Sequence, residues 1–229
     1  STRKESSAAS DVYKRQAIES NGDMEKLWEI FHERMQIMHD ALVYRIKRME
    51  QATPDNAPIL YKNGAFKHYL SDEDSVMSLF KNKRATLSIG YIGLYEAATV
   101  FYGPEWEKTA RGKAFTLQIL KAMKVYQLEW TERYDIWFSI YSTPSESLTD
   151  RFCRLDKEKF GDILDITSKG YYQNSFHYDV RKDITPFEKI DFEKDYPFYA
   201  SGGYIHYCEY PKFCLLYTSD AADDSLRVD

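Results

Sequence analysis

Two stretches of the chain share one order, in which a buried strand leads through a polar turn into a helix, and this order limits the possible folds more than any other feature. Residues 85–92 (ATLSIGYI) are apolar and β-branched, and a helix is predicted directly after them at 94–102. Residues 136–142 (IWFSIYS) repeat the pattern ahead of a helix at 146–159. Strands joined by helical crossovers pair in parallel. The sequence therefore predicts an α/β layer or barrel, in which ligands meet the turns at the carboxyl ends of the strands.

The other elements predicted from periodicity are mostly helical. Apolar residues recur at spacings of three and four in residues 23–52 and 105–132, which places them on one face of a long helix. A shorter helix is predicted at 71–82. The last part of the chain is predicted to be extended or irregular, with one short helical turn at 186–189. Gly202 and Gly203 are predicted to form a tight bend that leads into a strand.

Composition and charge exclude several classes of protein. Hydrophobic residues make up 43% and charged residues 29% of the chain, a balance typical of a globular domain. The net charge of −5 argues against a surface that follows a nucleic-acid backbone. No apolar run is long enough to predict a membrane-spanning helix. The 3 cysteines (Cys153, Cys208 and Cys214) are widely spaced, which favours a reducing, cytoplasmic location over a disulfide framework. No Cys and His residues have metal-ligand spacing, so no metal site is predicted within the chain.

The two ends of the chain differ from the middle in amino-acid composition. Residues 1–16 and 212–229 lack the aromatic-rich pattern of residues 17–211. The strings DVYKRQ and CLLYTSDAADD resemble translated sequencing-library adapter. The alternative is a pair of ordinary disordered termini. Under either interpretation, the sequence predicts a central domain at 17–211 and two tails that make few contacts with it.

The turn after the second strand, Thr143-Pro144-Ser145-Glu146, has two interpretations. In the structural one it is a capping box, with Thr143 as N-cap and Glu146 reaching back to the backbone N–H of Thr143. In the functional one the turn faces a pocket, where the N-terminus of the helix attracts an anionic substrate and Glu146 transfers protons. The local pattern alone leaves both open.

Four collinear strings carry a resemblance that covers most of the chain: RATLSIGYIGLYEA (84–97), FSIYSTPSESLTDRFCRLDKEKFG (138–161), GYYQNSFHYDV (170–180) and PFYASGGYIHYCEYP (197–211). Together they resemble the large subunits of anaerobic (class III) ribonucleoside-triphosphate reductases, which are glycyl-radical enzymes. The resemblance extends from about Ala17 to Pro211 and does not depend on any single motif.

The resemblance implies a fold, an activity and a set of partners. The fold would be part of a ten-stranded α/β barrel of the glycyl-radical enzyme and ribonucleotide reductase type. The activity would be the conversion of ribonucleoside triphosphates to 2′-deoxyribonucleoside triphosphates by glycyl and thiyl radical chemistry, linked to formate. The implied partners are an iron–sulfur, S-adenosylmethionine-dependent activase and a second copy of the subunit. Nucleic acid and membranes are not implied.

Site residues carry over from the family only in part. Glu146 matches the position of an active-site glutamate in formate-using members, and Ser142, Thr143 and Ser145 would offer donors to the substrate. Asn174 and His177 lie in a motif typical of the family, but the sequence assigns them no role.

The family's radical residues match no position in the middle of this chain. The thiyl cysteine, the radical glycine and a cysteine-rich zinc site are expected beyond residues 17–211, and neither Cys153 nor Cys208 stands at the thiyl position. The chain alone is therefore expected to be an inactive fragment of an enzyme. The alternative is a non-enzymatic α/β binding or interaction module derived from the same barrel.

Overall fold

The computed structural model describes residues 10–65, 67–142 and 144–207, including their side chains except those of residues 10–13 and Glu146. Three strands are present in this part of the chain: β1 (Ser10–Val12), β2 (Thr86–Ile92) and β3 (Trp137–Tyr141). The helices are α1 (Tyr13–Ser20), α2 (Met24–Glu50), α3 (Pro58–Tyr61), α4 (Leu94–Tyr102), α5 (Ala110–Tyr134), α6 (Glu146–Phe160) and α7 (Pro186–Glu193). Single 3₁₀ turns lie at Pro54–Asn56, Val76–Leu79, Trp106–Lys108, Thr167–Lys169 and Pro197–Tyr199.

The sheet is parallel, as the repeated order of strand and helix predicted. Its strands lie in the order β1-β2-β3, and Thr86 of β2 pairs in register with Trp137 of β3. The inner residues of β2 and β3 are fully buried, with Ile89, Phe138 and Ile140 at 0% exposure. Because both faces of the central strand are covered, β2 is almost continuously apolar, which is typical of parallel sheets.

The predicted lack of contacts at residues 1–16 is wrong for residues 10–16. Ser10 pairs with Gly90 as β1 adds to the sheet beside β2. The following helix, α1, packs against α2 and α4, and Lys14 and Ala17 are both at 0% exposure. Sequence reasoning missed β1 because its three residues have no apolar periodicity. Residues 1–9 and 208–229 lie outside the described residues, so the predicted tail at 212–229 is not tested.

The two long helices are confirmed, with one change of boundary. The buried face of α2 includes Leu27, Phe31, Met35, Leu42 and Ile46, and the Asp23 side chain accepts from the backbone N–H groups of the first turn. The second long helix, α5, begins at Ala110 and not at 105, because Thr109 is its N-cap and accepts from the Gly112 N–H.

The predictions of secondary structure for three short segments, residues 71–82, 186–189 and 204–207, differ from the structure. The predicted helix at 71–82 is only the 3₁₀ turn Val76–Leu79, since Asp74 accepts from the N–H and hydroxyl of Ser71 and closes a local turn instead. The predicted turn at 186–189 extends into the eight-residue α7.

The predicted strand after the glycine bend is also wrong: the described residues 204–207 form none. Gly202 and Gly203 instead bond to the end of β3, with the Gly202 N–H donating to Ile140 O at 2.8 Å and the Ser142 N–H donating to Gly203 O at 3.1 Å. A Cβ at Gly202 would lie 2.7 Å from the Ser139 hydroxyl oxygen, so this approach needs glycine. In the described part of the chain, none of the helices combines the length and apolar character that a bilayer crossing requires.

Candidate functional site

Ser142 and Ser145, two of the predicted site residues, lie at the carboxyl edge of the sheet, where β2 and β3 end side by side. Ser142 follows β3 directly and is 2% exposed. Its hydroxyl lies 2.8 Å from the hydroxyl of Tyr91 on β2. Burial raises the pKa of Tyr91 far above its usual range, so the phenol stays neutral and one of the two hydroxyls donates to the other. The side chain of Ser142 therefore ties the end of β3 to β2.

Ser145 is the N-cap residue of α6, and its backbone groups are hydrogen-bonded whereas its hydroxyl is not bonded to any described residue. Its backbone N–H donates to the side-chain oxygen of Asn174 at 2.9 Å. Its carbonyl accepts from the N–H groups of Leu148 and Thr149 and so begins the helix. The Ser145 hydroxyl is buried and has no hydrogen-bond partner among the described residues. A buried hydroxyl without a partner is costly, which makes this group a candidate for a functional role.

The capping-box interpretation of the turn is wrong in its predicted form. The helix begins at Glu146, with Ser145 as its N-cap residue and no side-chain cap bond. Glu146 is thus the first helical residue and not the third, and Pro144 lies before the helix rather than in its first turn. Thr143 and the side chain of Glu146 lie outside the described residues.

The family-typical segment at 171–178 lies between the two strand ends. Asn174 forms an antiparallel bridge with Ile92, the last residue of β2. The Gly93 N–H donates to Gln173 O at 3.2 Å. Asn174, to which the sequence assigned no role, is thus held at the end of β2 while its side chain reaches the turn after β3. It connects the two strand–turn–helix units.

His177, the other residue without an assigned role, belongs to a buried acid–base cluster. Its Nδ1 lies 3.4 Å from one oxygen of Glu193, and His206 Nδ1 lies 2.9 Å from the other. The Tyr178 N–H also donates to Glu193 at 3.0 Å. Burial works to raise the pKa of Glu193, but the hydrogen bonds from His177 and the Tyr178 N–H hold it below its ordinary value. This cluster anchors the end of the 171–178 segment to α7.

Sequence reasoning missed a buried ionic network next to this segment. Glu96 in the first turn of α4, Lys169 and Asp179 have side chains at 0%, 0% and 1% exposure. Lys169 Nζ lies 2.5 Å from a Glu96 oxygen and 3.4 Å from an Asp179 oxygen. The available signal was Glu96 itself, the one charged residue in the apolar helix LYEAATVFY.

Cys153 is a small buried residue in the core. It lies on α6 at 0% exposure, and its thiol donates to Thr167 O at 3.5 Å. Burial raises the pKa of this thiol, so it stays protonated and unreactive. Cys208 lies outside the described residues. Within the described ranges, no group of three or more His, Cys, Asp or Glu side chains has the arrangement of a metal site.

Comparison with known proteins identifies the family. The family model described as anaerobic ribonucleoside-triphosphate reductase matches residues 13–214. The anaerobic ribonucleoside-triphosphate reductase of Escherichia coli (strain K12) is 44% identical over 200 residues, which are 85% of this chain and 28% of that protein. That of Enterobacteria phage T4 is 44% identical over 187 residues, which are 82% of this chain and 29% of that protein.

Solved structures show the same fold. The anaerobic ribonucleotide reductase from Thermotoga maritima with citrate in the active site aligns over 93% of this chain and 36% of its own, with a TM-score of 0.63 and 20% identity. The same enzyme in complex with dATP and CTP aligns over 85% of this chain and 30% of its own, with a TM-score of 0.60 and 20% identity.

The chain spans 28% to 29% of the length of the E. coli and phage T4 relatives. Because the family model matches most of its residues and relatives are 44% identical to it, the chain belongs to the family of anaerobic ribonucleoside-triphosphate reductases.

Proposed function

We propose that this chain is a fragment of the catalytic subunit of an anaerobic ribonucleoside-triphosphate reductase and forms one wall of its substrate site. The complete protein would convert ribonucleoside triphosphates to 2′-deoxyribonucleoside triphosphates. The observation that carries the proposal is the turn after β3, where the unpartnered Ser145 hydroxyl and the start of α6 lie at the carboxyl edge of a parallel sheet. Ligands in α/β folds bind at this edge.

Each residue of the turn has a part in this proposal. Ser142, bonded to Tyr91, fixes where the turn leaves the sheet. The N-terminus of the 15-residue α6 favours the negative charge of a triphosphate, and the Ser145 hydroxyl and Thr143 donate hydrogen bonds to the substrate. Glu146, as the first residue of that helix, supplies a carboxylate for proton transfer to or from the substrate.

The complete protein would supply what this segment does not carry. The three parallel strands would form part of a ten-stranded barrel. The glycyl radical would supply the radical chemistry, formate the reducing equivalents, and a zinc site would lie in another part of the protein. An iron–sulfur activase and a second copy of the subunit would be the protein partners.

Glu146→Gln in the full-length reductase that contains this segment tests the proposal. The change keeps the shape of the side chain and removes its titrating group, so turnover should fall about 10²–10⁴-fold. The matched control is Glu158→Gln, which alters an exposed carboxylate on the same helix and should leave turnover unchanged. The assay measures deoxyribonucleotide formation under anaerobic conditions with the activase and formate.

Two results would contradict the proposal. Turnover of Glu146→Gln equal to that of Glu158→Gln would remove Glu146 from the chemistry. A full-length protein that binds ribonucleoside triphosphates without reducing them, although the activase has been supplied, would favour the alternative of a non-enzymatic binding module.

A further inference from the structure

The buried network around Glu96 holds the segment at residues 169–179, which reaches the candidate site. One oxygen of Glu96 accepts from Lys169 Nζ at 2.5 Å and from the backbone N–H of Gln173 at 2.9 Å. Asp179 accepts from the side-chain amide of Gln173 at 3.1 Å and from Lys169 at 3.4 Å. Arg181 closes the network at the surface through its hydrogen bonds to Asp179. The carboxylates of Glu96 and Asp179 thus hold Gln173 by its backbone and its side chain.

A gain in folding stability alone does not explain why these charged side chains are buried together. The side chains of Glu96 and Lys169 are at 0% exposure, and the second oxygen of Glu96 is buried with no hydrogen-bond partner among the described residues. Taking two charges out of water costs about as much as their attraction returns, and well-packed apolar residues often do as well. What a connected buried network provides is one fixed arrangement of the groups that it touches.

The arrangement that it fixes is that of residues 173 and 174. Glu96 holds the N–H of Gln173, and the Gly93 N–H holds its carbonyl at 3.2 Å. Both backbone polar groups of Gln173 are therefore bound to the unit formed by β2 and α4. Asn174, the next residue, has its backbone paired with Ile92 and its side-chain oxygen 2.9 Å from the Ser145 nitrogen.

We propose that Asn174 is a positioning residue for the reaction and that the Glu96–Lys169–Asp179 network sets its position. This inference rests on the proposed function of the turn at 142–146. The side chain of Asn174 binds the N–H of Ser145 immediately before α6, so it determines how the Ser145 hydroxyl and the Glu146 backbone face the substrate. The network acts through Asn174 and touches no substrate itself.

Asn174→Ala in the full-length enzyme is the first test. Loss of the acceptor frees the turn, and displacements of about 1 Å at a site can cost up to about 10²-fold in rate. We expect kcat to fall about 10–100-fold and KM for the ribonucleoside triphosphate to change less than about 3-fold, with the thermal midpoint near that of the wild type. Asn174→Asp keeps an oxygen at the same place and should recover at least half of the loss on a logarithmic scale. The control Asn63→Ala, at an exposed asparagine that follows α3, should match the wild type.

A matched pair of double variants tests the network. Glu96→Gln with Lys169→Met removes the charges but keeps an acceptor for the Gln173 N–H, so kcat should stay within about 3-fold of the wild type. Glu96→Leu with Lys169→Met removes the same charges and also the acceptor, so kcat should fall about 10-fold or more. Equal kcat in the two folded variants would overturn the role of the network. If the second variant does not fold, the kcat values of Asn174→Ala and Asn174→Asp test the positioning role.

The outcomes separate this inference from the proposed function. Normal kcat for Asn174→Ala beside a strongly reduced Glu146→Gln would refute the positioning role and leave the function of the turn intact. Normal kcat for both would refute both. A fall in thermal midpoint that accounts for the whole loss of activity, with no recovery in Asn174→Asp, would reduce Asn174 to a structural residue.

Discussion

Lys14→Met should stabilise this protein at neutral pH, although it removes one partner of an ion pair. The Lys14 side chain is at 0% exposure, and its ammonium group has no hydrogen-bond partner among the described residues. Its nearest carboxylate, Asp156, lies 3.7 Å away. Burial lowers the pKa of Lys14 from 10.5 to about 7, against the attraction of Asp156 and Glu96, which works to raise it.

The sign and the size of the effect follow from this pKa. Between pH 7 and 10.5 the lysine of the unfolded chain binds a proton and that of the folded chain does not, so the free energy of unfolding rises with pH across this window. Below the pKa of the folded state, Lys14 is charged in both the folded and the unfolded chain. The free-energy cost of burying this charge is then fully present and no longer changes with pH. The fall from 10.5 to about 7 corresponds to roughly 5 kcal/mol at about 1.4 kcal/mol per pH unit. Methionine has a similar shape and no charge to desolvate.

The pKa of about 7 already includes the attraction to Asp156, so the loss of this attraction in Lys14→Met is not a further cost. Asp156 keeps Arg15, whose Nε and Nη2 lie 2.6 and 2.5 Å from its Oδ1, and the Tyr172 hydroxyl, which donates to Oδ2 at 3.2 Å. Replacing a whole buried ion pair by apolar side chains is often neutral or stabilising by about 1–4 kcal/mol, and the same range is expected here because Arg15 leaves no uncompensated charge on Asp156. We expect a gain in that range at pH 7.

Urea unfolding of the 229-residue chain at several pH values between 6.5 and 10 measures the effect. Lys14→Met should unfold at higher urea and should lose the part of the pH dependence that belongs to Lys14. Lys26→Met, at an exposed lysine of α2, should keep the wild-type slope and serves as the control for the loss of one positive charge. A Lys14→Met protein that is less stable than the wild type at pH 7, or that keeps the same slope, would refute the reasoning.

Three further substitutions test packing and local structure by thermal or urea unfolding. Gly202→Ala should destabilise the chain by about 1–3 kcal/mol, because its Cβ would lie 3.0 Å from Ile140 O and closer still to a side chain of β3; an unchanged midpoint would contradict the close approach. Met35→Ala, at 0% exposure on α2, should cost about 2–5 kcal/mol through loss of contacts and a cavity; a cost below about 1 kcal/mol would mean that α2 does not pack as described. Thr185→Ala should cost about 0.5–2 kcal/mol, because it removes the hydroxyl that accepts from the Glu188 N–H at the start of α7; Thr185→Ser should restore most of this.

The sequence predicted the elements that have a strong apolar signal. The helices α2 and α5 bury one regular face, whereas β2, β3 and α4 are apolar along most of their length, and tertiary packing reinforces the local pattern in both cases. The predictions failed where a single side chain decides the backbone. At 71–82, Asp74 closes a turn onto Ser71, and a helical period in so short a segment cannot outweigh it.

The sequence predicted the position of the candidate site in the fold, but not its hydrogen bonds. A strand, a polar turn and a helix were enough to locate residues 142–146 at the carboxyl edge. The start of the helix at Glu146 and the bond from the Ser145 N–H to Asn174 depend on a segment 29 residues further along the chain. Local capping patterns contain no information about such a partner. The same holds for Glu96, whose position in an apolar helix was visible while its buried partners were not.

Lys14 links the packing of the N-terminal segment to the interpretation of its sequence. Residues 10–16 are adapter-like in sequence, yet the structure packs them as β1 and the start of α1. The packing of these residues, together with the family match from residue 13 onward, counts against the adapter interpretation of this segment. The stem of Lys14 passes within 2.8 Å of where a Cβ of Gly93 would be, and its ammonium lies over the ring of Tyr172 with no hydrogen-bond partner among the described residues. A buried charge that faces an aromatic ring and a carboxylate 3.7 Å away, without a hydrogen bond, is costly. A more stable Lys14→Met protein would show that this cost exceeds the attraction of Asp156, whereas a less stable one would show that the ion pair outweighs the cost of burial.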